Sequence, residues 1–127
     1  MSLRPSMRIF VEGLGRCGSS LVYLSLAAAA PSHYRKGFFR CIADAPCEAG
    51  IYKTHDYPPK AFAEEDRVLY LFGEPERIVQ SVLFTDRRFK EEHFRNFGRE
   101  YLSDEESLLL HDGLGLCEHF RSWKHHS

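Results

Sequence analysis

Apolar and polar positions along the chain fall into short blocks punctuated by glycine and proline. Residues 7–12 (MRIFVE) are rich in β-formers and predict a strand. Residues 13–18 (GLGRCG) hold three glycines and predict a loop. Ser19 and Ser20 then open an apolar stretch that runs to Ala30 and stops at Pro31, which predicts a helix. Leu21, Val22, Leu24, Leu26 and Ala27 leave it little polar face, so it is expected to be largely buried. Residues 33–40 fit a strand or a loop, and 50–54 (GIYKT) a short strand ended by the prolines of 56–59 (DYPP). Residues 67–72 (RVLYLF) form a continuous apolar run, suited to a strand buried on both faces. A turn at 73–75 leads into a helix over 76–84, favoured by Pro75 at its start. A charged helix carrying Phe89, Phe94 and Phe97 is expected over 86–99. Ser103 with Glu106 makes a capping box for a helix through His111, and 116–124 fits a last helix.

Strand–loop–helix, strand, then strand–helix is the order of an α/β fold with a small, mainly parallel sheet flanked by helices. In such sheets ligands sit beyond the carboxyl ends of the strands, which directs attention to 13–20, 53–56 and 73–77. The 127 residues suit one domain spanning 1–127. Hydrophobic content of 43% with 28% charged residues argues against a disordered chain or a coiled coil. Lys and Arg number 17 against 18 Asp and Glu, and this balance does not suggest a polybasic nucleic-acid or membrane binder. Cys17, Cys41, Cys47 and Cys117 form no CxxC pair, and reduced thiols in a cytoplasmic protein are the expectation. The apolar run 21–30 loosely resembles the core of a signal peptide, but Glu12, Gly13 and Gly15 interrupt its lead-in, and it has about half the length a membrane span needs.

Three segments carry candidate chemistry. In the first, glycines 13, 15 and 18 lie between a strand and a helix, where backbone amides can turn inward on a phosphate and the helix dipole adds positive potential. Ser19 stands where a nucleotide-triphosphate loop would place lysine, Arg16 supplies a positive charge, and Ser20 adds a hydroxyl. A tight turn between a strand and its packing helix would need the same glycines. In the second, Lys53-Thr54-His55 ends a strand: lysine neutralises an anion and histidine accepts a proton near neutral pH. In the third, Arg77 and Ser81 lie four apart on one helical face, and both can bind phosphate oxygens.

Taken in order, these segments resemble the sulfotransferase family. Arg16-Cys17-Gly18-Ser19-Ser20 is similar to its 5′-phosphosulfate loop, with Cys17 at the middle small position. Lys53-Thr54-His55 matches the family segment whose histidine is the catalytic base, and Pro58-Pro59 follows as it does there. Residues 68–81 look like the strand, turn and serine-bearing helix that bind the cofactor's 3′-phosphate, and 114–123 is similar to a less specific stretch. The resemblance implies a three-layer P-loop-like fold and transfer of a sulfuryl group from 3′-phosphoadenosine-5′-phosphosulfate (PAPS) to a hydroxyl or amine. His55 would be the base and Lys53 and Arg16 would meet charge. Gly15, Arg16, Cys17, Gly18, Ser19, Ser20, Arg77 and Ser81 would hold the cofactor, with no metal required.

Two departures stand out. The family's arginine lies eight residues before the serine, a position held here by Gly73. The family's later acceptor-side region and Arg-Lys-Gly loop have no counterpart, so a partner chain completes the site, the sequence is a piece, or a smaller anion is bound. The expected partner is a small-molecule or carbohydrate acceptor, held by loops 32–49 and 86–103, with no nucleic acid or membrane; a homo-oligomer is compatible with this. Phe38, Phe39, Phe89, Phe94 and Phe97 fit either an apolar acceptor pocket or the core. The rival readings are a catalytically degenerate nucleotide- or anion-binding module and a small P-loop nucleotide kinase.

Overall fold

The computed structural model describes residues 7–13, 18–59, 62–83, 91, 94–95, 111–112 and 114–125. Four strands, β1 (Arg8–Glu12), β2 (Arg35–Phe38), β3 (Gly50–Thr54) and β4 (Arg67–Tyr70), form one sheet in the order β2-β3-β1-β4. Every pairing is parallel. The helices are α1 (Ser19–Ala29), α2 (Pro75–Leu83) and α3 (Leu116–Lys124). The α/β class and the parallel sheet expected from the element order are therefore present. β2 and β3 lie on one side of β1 and β4 on the other, so the connections reverse direction at β1. The crevice beyond the carboxyl end of β1 is where such sheets bind ligands.

Alternation along the strands divides the core between two faces. Ile9, Val11 and Ile51 point to one face and pack with Tyr34 and with Val22, Tyr23 and Leu26 of α1. Phe10 and Tyr52 point to the other and pack with Ile42, Ala45 and Trp123 of α3. A third cluster joins Ile78, Val79 and Val82 of α2 to Phe94 and Leu114. Phe94 is thus core rather than pocket lining. At the amino end of the sheet Asp66 grips Arg8 with both oxygens, at 2.9 and 2.6 Å, tying β1 to the start of β4.

Two burial expectations are corrected. Helix α1 is not largely buried: only Ser19 and Ala27 are, while Leu21 and Leu24 are 71% and 61% exposed. A helix has one stripe against a sheet, and 22, 23 and 26 fill it, so the apolar residues at 21 and 24 face outward whatever their chemistry. The apolar run 67–72 is not a strand buried on both faces. It pairs at the sheet edge, ends at Tyr70 and leaves Phe72 70% exposed. A continuous apolar run is here the mark of an edge strand with helices beside it. The helices expected over 86–99 and 103–111 fall largely outside the described residues. Cys41, Cys47 and Cys117 are free and exposed, and Cys17 lies outside the described residues. Among the described residues no helix is long and apolar enough to cross a membrane.

Candidate active site

β1 and β3 are neighbours in register, with Glu12 opposite Thr54. Their continuations, 13–20 and 53–56, therefore emerge side by side. Odd positions of β3 face α1, so Lys53 points at the first turn of that helix, and its Nζ donates to Ser20 Oγ at 2.6 Å. Lys53 also lies 5.5 Å above the ring of Phe38, its partner on β2. His55 turns back across the sheet end, and its Nδ1 donates to the carbonyl oxygen of Gly13. In the neutral ring that bond selects the tautomer whose Nε2 carries the lone pair. Phe38 meets the same imidazole edge-on at 5.6 Å, so it lines this site and is 53% exposed.

Gly18 sits at the N-cap of α1 with φ of 84°, a conformation that other residues reach only with strain. The two serines differ: Ser19 is buried and Ser20 is exposed. Gly15, Arg16 and Cys17 lie outside the described residues. Arg77 is directed elsewhere. Its Nε pairs with Glu74 at 2.9 Å on an exposed face, and Ser81, one turn on, is half-buried. A Cβ at Gly73 would find nothing nearer than the Ile78 side chain at 3.5 Å, so a side chain fits there.

The chain matches no protein-family model, no curated protein and no solved structure.

Behind the half-buried pair of Lys53 and His55 lies a buried polar cluster that no sequence motif marks. Glu12 and Tyr70 are register partners, as are Glu12 and Thr54, so all three side chains meet on the α3 face. Thr54 Oγ1 donates to Glu12 Oε2. The other oxygen, Oε1, has no hydrogen-bond partner and lies 3.6 Å from His119 Nε2 of α3. Glu12 and His119 are both fully buried. His119 Nε2 donates to the Asp56 carbonyl at 2.8 Å, and its Nδ1 accepts from the Tyr70 hydroxyl at 2.7 Å, which describes a neutral imidazole. Burial lowers the His119 pKa. Burial, and secondly the charge of Asp56, push the Glu12 carboxyl up to about 9. Trp123 Nε1 also donates to the Asp56 carbonyl, at 3.0 Å, and the Asp56 carboxylate accepts from the amides of Ile42 and Tyr57 at 3.0 and 2.8 Å. Asp56 thereby holds the segment after His55 from several sides.

Two signals pointed to this cluster. A carboxylate follows the apolar run 9–11 of the central strand, and a histidine shares the apolar face of 116–124 with Trp123. Among the described residues no group of three His, Cys, Asp or Glu side chains is placed to hold a metal.

Proposed function

We propose that this chain is a sulfotransferase-like protein, of P-loop-like fold, that transfers a sulfuryl group from PAPS to a hydroxyl or amine acceptor with His55 as the base. The observation that carries the reading is the meeting of two motifs at one sheet end. Lys53 bonds to Ser20 at the start of α1, and His55 bonds to Gly13 at the start of the glycine-rich loop.

The residues present fit one half of the cofactor better than the other. The α1 N-terminus, Ser20 and the Lys53 ammonium together suit the 5′-phosphosulfate. The 3′-phosphate side has Gly73 where an arginine would serve and an Arg77 bound to Glu74. When bound, PAPS supplies the sulfuryl group, whose S–O bond to the 5′-phosphate breaks as a bond to the acceptor atom forms. His55 Nε2 takes the acceptor proton, and the Gly13 carbonyl keeps the ring oriented for it. Lys53 meets negative charge on the transferring oxygens, and Ser20 fixes where its ammonium sits. Arg16 would hold the 5′-phosphate.

A catalytically degenerate anion-binding module is the second reading, favoured by the same Gly73 and Glu74-tied Arg77. The kinase reading is weakened by Ser19, which occupies the lysine position of a triphosphate loop and is buried.

Isothermal titration with 3′-phosphoadenosine-5′-phosphate tests the nucleotide half of the reading. Saturable heat is expected, and a folded protein that gives none at high micromolar concentration rules the reading out. Gly73→Arg is the sharper variant. A Cβ at this exposed position meets nothing nearer than 3.5 Å, and a charge-assisted contact to the 3′-phosphate is expected to tighten binding about tenfold. The gain should vanish with adenosine-5′-phosphate. An equal gain for both nucleotides would mean that Arg at 73 does not reach a 3′-phosphate.

A further inference from the structure

A groove of about 480 Å³ opens between the end of β4, the first turns of α2 and the outer side of α3. Its volume is that of a small-molecule site. Leu71, Phe72, Ile78, Leu116 and Phe120 supply its walls. Phe72 and Phe120 stand 5.3 Å apart with planes tilted by 59°, and Phe72 is 70% exposed, so one aromatic face is presented to the groove. The charge at its margin has one sign. Arg121 and Lys124, from successive turns of α3, both line it and both are exposed. Lys124 lies 6.0 Å from the Phe120 ring. Among the described residues neither cation is paired with a carboxylate.

An apolar, aromatic-walled groove bordered by two cations selects for a ligand that is apolar over most of its surface and anionic at one end. We infer that it binds a small aromatic anion, a flat ring system carrying a single sulfonate, sulfate or carboxylate group. The ring packs against Phe72 and Phe120, and the anionic group lies toward Arg121 and Lys124. None of these residues belongs to the Lys53–His55 pair; Gly73, which also lines the groove, is the one residue shared with the 3′-phosphate side of the proposed function.

The test uses 2-naphthalenesulfonate and its neutral isostere naphthalene-2-sulfonamide, each titrated calorimetrically into the intact chain. The sulfonate is expected to bind about tenfold more tightly than the sulfonamide. The exposed double variant Arg121→Gln/Lys124→Gln should erase that preference, and Phe72→Ser, also at an exposed position, should weaken both compounds. Arg35→Gln/Lys36→Gln, on the opposite edge strand, should change neither. Equal affinity for the two compounds, or a preference that survives Arg121→Gln/Lys124→Gln, overturns the inference. Failure of the nucleotide to bind, with the sulfonate still bound, would sink the proposed transferase and leave the groove intact.

Discussion

Folding stability should fall as pH rises from about 6.5 to 9, and Glu12→Gln should flatten that fall. Glu12 is a carboxyl with ordinary pKa 4.5, raised to about 9 by the dry cluster it shares with Thr54, Tyr70 and His119 and by the charge of Asp56. Between those values the native protein holds a proton that the unfolded chain has released. The unfolded state therefore binds fewer protons, and stability declines with pH. His119 works in the opposite sense. Its pKa is lowered from 6.5, so just below 6.5 the unfolded chain carries a proton that the native ring lacks. In that lower window the two contributions oppose each other, and above 6.5 the carboxyl acts alone. At about 1.4 kcal/mol per pH unit, the decline over the upper window amounts to about 3 kcal/mol. Glu12→Gln keeps an oxygen for Thr54 and cannot ionise, so its stability should be nearly level over the same range. Urea unfolding at pH 6.5, 7.5 and 8.5 reads this directly. A wild-type midpoint that does not move with pH would refute the buried, protonated carboxyl.

Removal of the His55 imidazole should abolish most transfer under the proposed function. Positioned proton acceptors contribute about 10²–10⁴-fold, and His55→Ala is expected to lower kcat by a factor in that range. The ring is half-buried at the sheet end, and the fold does not depend on it for its core, so affinity for 3′-phosphoadenosine-5′-phosphate should be little changed. His55→Gln provides the necessary contrast. It can keep a hydrogen bond to the Gly13 carbonyl but has no basic nitrogen, so it should be as slow as His55→Ala if the proton transfer matters. Recovery of activity in His55→Gln would show that the residue only braces the loop. Unchanged turnover in both would remove His55 from the chemistry and favour the degenerate anion-binding module.

Both predictions draw on one architectural fact. The carboxyl end of β1 delivers the Glu12 carboxylate to the α3 face and, in the next residue, the Gly13 carbonyl that meets His55. The Lys53–Ser20 pair lies on one side of the sheet end and the Glu12–His119 cluster on the other, with His55 reaching from β3 to Gly13 between them. A change of protonation on the buried side acts on Glu12, the residue directly before Gly13.

Local chemistry was legible in the chain by itself. The strand over 50–54 and the helix over 116–124 agree with the structure residue for residue, because β-branched and aromatic runs, glycine stops and a helical apolar stripe act over a few residues. The start of α1 at Ser19 and the neighbourhood of the Gly13 loop and Lys53-Thr54-His55 were readable for the same reason, once a parallel sheet was inferred. The rest was decided only in three dimensions. Hydropathy reports that 67–72 is apolar and 21–30 is apolar, but whether a partner lies against each face depends on the assembly: strand order put β4 at an edge, and the one stripe that α1 lays on the sheet left Leu21 and Leu24 in solvent. Nothing near Glu12 in sequence marks its carboxyl as protonated. Its state is set by burial and by the charge of Asp56, and that burial exists only because parallel register brings Thr54 and Tyr70 beside it and α3 closes over them with His119. Charge burial and edge exposure are sums over distant segments, and the folded arrangement is what performs the sum.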